Sequence, residues 1–197
     1  MTFRVTRKTL SDYGFYARNG RVVVFDTETT GISCDDEIVQ IAAAEYVCGE
    51  LTRTFCLYVV PSCPISPGAA AVNHLTLPFL AENGVSPCEA LERFFAFLGQ
   101  DVLLVAHNIR FDYRMLQGEC RKFDYTAELQ GVSFCDTIAL AKKLVPGLEH
   151  YRLGWLVDAM GLSGRNSHDA LDDTLACGEL FFELMRRSNA MGGCKED

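Results

Sequence analysis

The sequence predicts an α/β domain built on a mixed β-sheet, and the order of its segments is the main reason. Three strand-like segments come first, at Arg21–Phe25, Glu37–Val47 and Leu51–Val60. Only residues 48–50, which include a glycine, separate the second segment from the third, and this short break predicts a hairpin. Strand-like and helical patterns then alternate, which favours parallel strands with helices on the faces of the sheet. We therefore predict three antiparallel strands followed by parallel ones.

Short local signals predict the elements that follow the hairpin. Residues 61–76 are rich in proline, alanine and serine and predict a surface loop. Ser86 is placed to cap a helix that begins at Pro87, Glu89 completes a capping box, and Gly99 ends the helix. The other predicted elements are strands at Asp101–Ala106 and Ser133–Cys135, and helices after Asn108, at Thr137–Leu144, at Leu153–Met160 and from Ser167 to about Arg187.

The composition predicts a single globular domain in a reducing compartment. The chain has 197 residues, of which 49% are hydrophobic and 22% charged. No apolar run approaches the ~20 residues that cross a bilayer, and no apolar segment follows the N-terminal basic residues, so neither a membrane span nor a secretory signal is predicted. The nine cysteines are scattered without a Cys-x-x-Cys pair, which favours free thiols and a cytoplasmic protein over a disulfide framework or a zinc site.

The net charge of −8 is unfavourable for a nucleic-acid partner, because phosphate binding usually leaves a basic footprint. Two considerations reduce this objection. Several of the acids fall in segments that bound divalent cations would neutralise, and an enzyme that grips only a strand end needs few phosphate contacts. We predict weak, salt-sensitive and non-processive binding to nucleic acid.

Three separated acidic segments are the most informative feature of the chain. Asp26 and Glu28 follow the first buried strand, and their two-residue spacing places both carboxylates on one face. Asp112 follows the buried strand that precedes the second helix, and His168 and Asp173 lie near the C-terminus. Four carboxylates brought together repel one another unless they bind cations or take up protons, and oxygen ligands of this kind suit Mg²⁺ or Mn²⁺. With a histidine as a candidate base, the set predicts two-metal phosphodiester hydrolysis.

Each segment also has a structural interpretation. Asp26 is compatible with a turn residue, and Asp112 with a first-turn acid that complements the helix dipole. Ser167 is a plausible N-cap of the last helix, whose first-turn acids would again serve the dipole. In that helix we expect leucines 171 and 175 to face inward, with Asp173 between this stripe and the polar face. We favour a structural role for His107.

Taken together, the three segments resemble the DEDD exonuclease family in its histidine-containing branch. Residues 26–31 read Asp-Thr-Glu-Thr-Thr-Gly, residues 107–112 match His-Asn-x-x-Phe-Asp, and residues 168–173 match His-x-Ala-x-x-Asp. This superfamily includes the proofreading exonuclease subunit of bacterial DNA polymerase III. The resemblance extends from about Arg21 to Met185, and three motifs in the right order are far more specific than any one of them.

The resemblance implies an RNase H-like fold and removal of nucleoside monophosphates in the 3′→5′ direction. It assigns two Mg²⁺ or Mn²⁺ ions, expected ~3.5–4 Å apart, to Asp26, Glu28, Asp112 and Asp173. It assigns the role of general base to His168. Single-stranded DNA is the expected substrate, RNA is the alternative substrate, and a DNA polymerase is an expected partner.

The resemblance also implies contacts with the terminal nucleotide. The backbone near Thr27 and Thr29 and an apolar wedge at Leu75 are the candidates, together with Asn108 and with Phe111, which could stack on a base or belong to the core. Many relatives read Val-His-Gly-Ile-Thr where residues 72–76 read Val-Asn-His-Leu-Thr, so we expect the missing glycine to alter this loop.

The predicted domain limits are an N-terminal extension at 1–20, an exonuclease domain at 21–187 and a polar tail at 188–197. No polymerase-binding tail is recognised, so we expect either a stand-alone relative or one that docks through another surface. The sequence does not indicate the oligomeric state.

Three other hypotheses compete with a DNA exonuclease. One is an RNA-trimming member of the same superfamily, since the choice depends on contacts near the 2′-hydroxyl. Another is a non-catalytic module that binds nucleic-acid ends, which would have no need for four convergent acids and a base. The third is an interaction domain whose acids are helix caps. Stabilisation by Mg²⁺ or Mn²⁺ would separate this last hypothesis from the rest.

Overall fold

A mixed five-stranded sheet forms the centre of the molecule. The computed structural model describes residues 8–33, 35–125, 129, 132–164 and 167–192, with side chains to residue 188. The strands are β1 (Arg21–Thr29), β2 (Ile38–Val47), β3 (Glu50–Tyr58), β4 (Leu103–Ala106) and β5 (Ser133–Asp136), in the spatial order β3-β2-β1-β4-β5. β1 pairs antiparallel with β2, and β2 with β3, whereas β4 is parallel to both β1 and β5. The predicted arrangement of strands is confirmed.

The β2–β3 hairpin turns at Cys48 and Gly49, as predicted. Their φ angles are +52° and +86°, the left-handed conformation that a two-residue turn requires at both central positions. The turn pairs β3 with one side of β2, and the other side of β2 pairs with β1 from Arg21 to Thr29.

β1 is longer than the sequence predicted, and this changes the position of the first acidic pair. We expected the strand to end at Asp26, but it continues to Thr29 because Asp26 pairs with Ala42 and Glu28 pairs with Gln40 of β2. The cross-strand partner, which local propensity does not reveal, extends the strand. Both acids therefore lie inside a paired strand.

The helices pack on both faces of this sheet. They are α1 (Leu10–Asn19), α2 (Pro67–Asn73), α3 (Leu77–Asn83), α4 (Pro87–Leu98), α5 (Ile109–Lys122), α6 (Thr137–Leu144), α7 (Leu153–Met160) and α8 (Ala170–Gly192). The segment predicted as a loop at 61–76 contains α2, since Ser66 accepts a hydrogen bond from the N–H of Ala69 and Pro67 occupies the first helical turn. The predictions for α4, α6 and α7 are confirmed within one or two residues.

Side-chain alternation along β1 divides the core into two layers. Val23 and Phe25 pack in the layer that includes α4 and α5, whereas Val22 and Val24 pack in the layer that includes α6, α7 and α8. Because alternate residues of a strand point to the same face, Asp26 and Glu28 continue the series of Val22 and Val24. The acidic pair thus faces α8.

The last helix begins later than the sequence predicted. Ser167 is not its cap, because His168 has a left-handed backbone with φ +57° that interrupts any helix at this point. The Asp169 carboxylate accepts hydrogen bonds from the N–H groups of Leu171 and Asp172, at 3.0 and 3.3 Å, and caps the helix instead. α8 continues to Gly192 rather than ending near Arg187.

The predicted extension at 1–20 includes a well-formed helix. Thr9 and Asp12 form a reciprocal capping box at the start of α1, and the Tyr13 hydroxyl donates to the carbonyl of Phe134 on β5 at 3.1 Å. The domain limits remain a prediction, and residues 1–7 and 193–197 of the predicted terminal segments lie outside the described residues. Within the described chain, we find no helix with the length and apolar character that crossing a membrane requires.

Candidate active site

The three acidic segments converge between β1, the start of α5 and the start of α8. The ligand atoms of Glu28, His168 and Asp173 all lie within 4.8 Å of one another. Asp26 and Asp112 belong to the same cluster electrostatically, since burial and the charges of Asp112, Asp173 and Glu28 raise the pKa of Asp26, and Asp112 also adds to the raised pKa of Glu28. The structure therefore brings together the five residues that the sequence analysis selected.

The carboxylates on β1 carry the strongest signs of mutual repulsion. Burial raises the pKa of Asp26 well above its usual value, and repulsion from Asp112, Asp173 and Glu28 raises it further. Burial and the charge of Asp173 raise the pKa of Glu28 to about 8, although a hydrogen bond from the Asn73 side chain partly opposes the shift. A pair of acids in this state has a high affinity either for protons or for cations.

Asp112 is an inward-facing acid of α5 and not a solvent-exposed dipole partner. Only 2% of its surface is exposed. The backbone N–H and the hydroxyl of Thr27 both donate to the same oxygen, Oδ1, at 3.1 and 2.8 Å. Burial nevertheless raises the pKa of Asp112 to about 7, because the hydrogen bonds from Thr27 offset only part of the desolvation. Thr27 leaves the second oxygen of this carboxylate for other partners.

Asp173 occupies the centre of the buried stripe of α8 and not its edge. The expectation that leucines 171 and 175 set this stripe is wrong, since both are half-buried while Asp173 is 6% exposed. The inward positions of α8 are Asp173, Ala176, Cys177, Leu180, Phe181 and Leu184. Burial raises the pKa of Asp173, and the N–H of Ser167 donates to its Oδ1 at 2.9 Å.

His168 lies at the exposed edge of the cluster. Its side chain is exposed, and its left-handed backbone ends the connection that leads into α8. Residues 165 and 166, which precede this connection, lie outside the described residues. The histidine is the member of the cluster that solvent reaches most readily.

Gln40 is a buried residue of the site that the sequence analysis did not find. It lies on β2 directly opposite Glu28 and is 2% exposed. Its amide donates to Asp169 Oδ2 at 2.9 Å and accepts from the N–H of Ala170 at 3.3 Å. Because Asp169 caps α8, Gln40 attaches the start of that helix to the strand beside Glu28. Only the register of β2 against β1, which sequence does not show, could have identified it.

We expect Gln40→Ala to lower turnover about tenfold and the free energy of unfolding by roughly 1–3 kcal/mol. The substitution removes one hydrogen bond to the half-buried Asp169 and the side-chain acceptor of the buried Ala170 N–H, and unsatisfied buried groups cost about that amount. Turnover should fall while the Michaelis constant changes little, since Gln40 is buried and acts by positioning the start of α8 rather than by contact with the substrate. Steady-state kinetics and thermal unfolding test this, with Gln117→Ala on α5 as the matched control. A turnover equal to that of the unaltered protein would show that Gln40 only stabilises the fold.

Asn73 is a second buried polar residue that the sequence analysis did not assign. Its amide donates to the carbonyl of Thr29 at 3.2 Å, accepts from the N–H of Leu75 at 3.1 Å, and hydrogen-bonds the Glu28 carboxylate. His74, at the position where the resemblance leads us to expect glycine in relatives, adopts a left-handed φ of +58°. The loop therefore contains a left-handed residue at this position without a glycine, and Asn73 links it to β1.

The predicted substrate-contact residues surround this cluster, and their substrate roles remain predictions. Thr29 is buried and donates to the carbonyl of Gly31 at 2.6 Å. Leu75 is half-buried, and Phe111 is half-buried with the Arg114 guanidinium 5.3 Å from the centre of its ring. Asn108 is exposed, has a φ of +67°, and makes no side-chain capping bond at the start of α5.

His107 has the structural contacts that we expected. Its Nε2 donates to the carbonyl of Tyr151 at 3.0 Å, and its Nδ1 lies 2.9 Å from the Thr137 hydroxyl. Burial lowers its pKa to about 4, so the ring is neutral near pH 7. It ties the end of β4 to α6 and to the segment before α7.

The family model described as an exonuclease matches residues 23–181, which include all five clustered side chains. The chain belongs to this exonuclease family. The DNA polymerase III subunit epsilon of Treponema pallidum is 33% identical over 86% of this chain and 78% of its own length. The PolC-type DNA polymerase III of Thermotoga maritima is 33% identical over 94% of this chain. This exonuclease chain spans only 13% of that polymerase.

Solved structures of exonucleases share the RNase H-like fold of this family member, which confirms the predicted fold. Exonuclease I of E. coli, in complex with a dT13 oligonucleotide, superimposes with a TM-score of 0.78 at 21% identity, over 88% of this chain and 42% of its own. Exonuclease X, in complex with 5′ overhanging duplex DNA, superimposes with a TM-score of 0.68 at 26% identity, over 85% of this chain and 93% of its own.

Proposed function

We propose that this exonuclease-family protein is a divalent-metal-dependent 3′→5′ exonuclease that releases nucleoside 5′-monophosphates from single-stranded DNA. The observation that carries the proposal is the convergence of four buried or half-buried acids with raised pKa values, beside an exposed histidine. Acids that only cap helices would be solvated, and hydrogen bonds from backbone N–H groups would lower their pKa values, as they do for Asp12. Membership of an exonuclease family supports a catalytic role for these acids.

The residues present fit divalent cations. Asp26, Glu28, Asp112 and Asp173 supply oxygen donors only, the type that Mg²⁺ and Mn²⁺ prefer, and their repulsion makes the site costly when it is empty and ionised. We propose that these four acids hold two such ions. When bound, the ions would polarise the phosphate and favour ionisation of the attacking water.

His168 is proposed to be the general base. It is exposed at the edge of the cluster, where its ring nitrogen lies within 4.8 Å of carboxylate oxygens of Glu28 and Asp173. The ring nitrogen takes a proton from water while the water oxygen bonds to phosphorus. The bond from phosphorus to the 3′ oxygen of the preceding nucleotide breaks, and this oxygen leaves with the shortened strand.

The relatives support DNA as the substrate and a polymerase as a partner. The structures of E. coli exonuclease I contain dT13 and dA16 oligonucleotides, and the relative from Treponema pallidum is a subunit of DNA polymerase III. We therefore propose single-stranded DNA and association with a DNA polymerase. The seven cysteines within the described residues are free thiols, which supports the proposed cytoplasmic location.

The proposal is tested with single strands of DNA and of RNA, each labelled separately at its 5′ and its 3′ end. A 3′→5′ enzyme shortens the 5′-labelled DNA in a ladder and releases the 3′ label at once as a mononucleotide. Faster degradation of RNA would correct the substrate, and an intact 3′ label on a strand that shortens would overturn the direction. Strands that stay intact although the protein binds Mg²⁺ or Mn²⁺ would overturn the proposed activity and favour an end-binding module.

We expect His168→Ala to lower turnover by about 10²–10⁴-fold, the usual contribution of a general base, while the affinity for Mn²⁺ stays nearly the same. Single-turnover cleavage and calorimetric Mn²⁺ titration measure the two effects. His150→Ala, which removes an exposed histidine beside Trp155, is the matched control. Weaker Mn²⁺ binding by His168→Ala would show that this residue is a metal ligand, as its distance from Glu28 and Asp173 also permits.

A further inference from the structure

A second cleft lies beside the proposed active site, at the carboxyl end of β5. It has a volume of about 380 Å³ and is formed by α1, the first turn of α5, the end of β5 and α6. A volume of this size falls within the range of ligand-binding clefts. Tyr13 and Phe134 supply aromatic surface, while Lys8, Arg110 and Lys143 supply positive charge. α1 precedes residue 23, where the match to the exonuclease family begins, so one wall of this cleft is additional to the matched domain.

The three cations of the cleft differ from six other cations of the described chain. Those at 21, 53, 93, 122, 186 and 187 form ion pairs with glutamates. Within the described residues, Lys8, Arg110 and Lys143 take part in no ion pair. Arg110 and Lys143 are exposed to solvent. The cleft therefore gathers three cations that form no ion pair in the described chain, on a protein whose net charge is −8, although hydrogen bonds from Thr9 and, to a smaller degree, the charge of Lys8 lower the pKa of Asp12.

Among the described residues, the one acid that lines this cleft, Asp136, is hydrogen-bonded to backbone groups of the protein. Asp136 accepts hydrogen bonds from the N–H groups of Asn108 and Ile138 through the same oxygen, Oδ1, at 3.2 and 3.0 Å. The hydroxyl of Tyr13 donates to the carbonyl of Phe134, and burial raises the pKa of Tyr13 to about 12, so it stays neutral. The balance of the cleft remains positive, with aromatic surface between the cations.

We propose that this cleft binds the phosphate backbone of the single strand whose 3′ end is in the active site. Spaced cations with intervening aromatic rings are the chemistry by which proteins hold single-stranded nucleic acid without regard to sequence. The cleft lies close to the active site, since Arg110 and Asp112 both belong to the first turn of α5, and since the charge of Asp136, which lines the cleft, adds to the effect of burial in raising the pKa of Asp112. It compensates for the unfavourable net charge of the molecule. The inference rests on the proposed exonuclease function.

The test compares the double variant K8Q/K143Q with the unaltered protein on two substrates. One is an oligothymidylate of about 20 nucleotides, long enough to extend beyond a single binding site. The other is thymidine 5′-monophosphate p-nitrophenyl ester, which is too small to extend from the catalytic cluster to the cleft. Lys142→Gln is the control for the change at Lys143, since it removes one positive charge from the neighbouring position of α6, where the amine lies 5.6 Å from the Tyr151 ring. In parallel, fluorescence anisotropy measures the affinity for a labelled strand over a range of salt concentrations, with EDTA present so that the strand is not cleaved.

We expect K8Q/K143Q to raise the KM for the oligonucleotide roughly tenfold at low salt. The slope of log affinity against log salt should fall by about 0.7 for each phosphate that the variant no longer neutralises. Hydrolysis of the ester should be unchanged, and Lys142→Gln should behave as the unaltered protein. If the ester is hydrolysed but the variant binds and cleaves the oligonucleotide normally, the cleft is not a strand site. If neither substrate is cleaved, the proposed function fails, and the anisotropy alone tests whether the cleft binds a strand. Equal affinity of K8Q/K143Q and the unaltered protein for the strand would overturn the proposed strand site.

Discussion

Asp26→Asn is expected to lower the rate of strand cleavage by about 10³-fold or more, because removal of a metal ligand takes away several kcal/mol of transition-state stabilisation. The same substitution should leave the metal-free protein equally stable or more stable. Burial and the charges of Asp112, Asp173 and Glu28 raise the pKa of Asp26 well above its usual value, so an uncharged amide of the same shape removes the cost of ionising this position. Activity and stability are thus expected to change in opposite directions.

Single-turnover cleavage and thermal unfolding of metal-free samples measure these two effects. Asp172→Asn is the matched control, since Asp172 is an exposed acid adjacent to Asp173 that accepts a hydrogen bond from the Ser167 hydroxyl. This control should cleave within a few-fold of the unaltered protein. Clear destabilisation by Asp26→Asn would show instead that the carboxylate supports the fold.

The second large effect concerns the metal-free protein, whose stability is expected to fall as the pH rises from about 5 to about 8. Folding raises the pKa of Glu28 from its ordinary 4.5 to about 8, and that of Asp112 from 3.8 to about 7. Between the unfolded and folded values the native state binds more protons, so these groups favour the native state at low pH and lose that contribution as they ionise. Repulsion within the cluster is then greatest above pH 8.

Mg²⁺ or Mn²⁺ is expected to reverse this loss, and the reversal should be largest at the alkaline end. A ligand at 100 times its dissociation constant stabilises the native state by about 2.7 kcal/mol, which corresponds to a Tm increase of roughly 5–10 °C for a chain of this size. Thermal unfolding with EDTA and with each metal, from pH 5 to pH 9, measures it. Asp26→Asn combined with Asp173→Asn should abolish most of the increase. An equal increase in this variant would place the metals elsewhere.

The order of strands and the membership of the site could be predicted because they depend on local signals. The run before Asp26, the hairpin at 48–50 and the cap at Ser86 each determine one element from a few neighbouring residues. The acids could be selected because their residue types, two-residue spacing and positions after buried strands are visible in the chain. Placing Asp26 and Glu28 on one face required only the alternation of a strand.

Features that depend on partners distant in sequence could not be predicted. The extension of β1 to Thr29 comes from its pairing with β2, and Gln40 becomes important only because that pairing sets it opposite Glu28. The start of α8 was misplaced because Ser167 and Asp169 are both acceptable caps, and the left-handed backbone of His168 decides between them. Asn73 belonged to a segment interpreted as a loop, where its contact with Glu28 has no local signal.

The most direct test of the account is the anomalous diffraction of a crystal soaked with Mn²⁺ and a nucleoside 5′-monophosphate. We predict two manganese peaks at the cluster, coordinated by Asp26, Glu28, Asp112 and Asp173 and about 3.5–4 Å apart. The phosphate should lie against both peaks, with His168 nearby and outside the coordination shell. Manganese bound elsewhere on the protein, with this cluster empty, would contradict the central claim that these acids form the metal centre of an exonuclease.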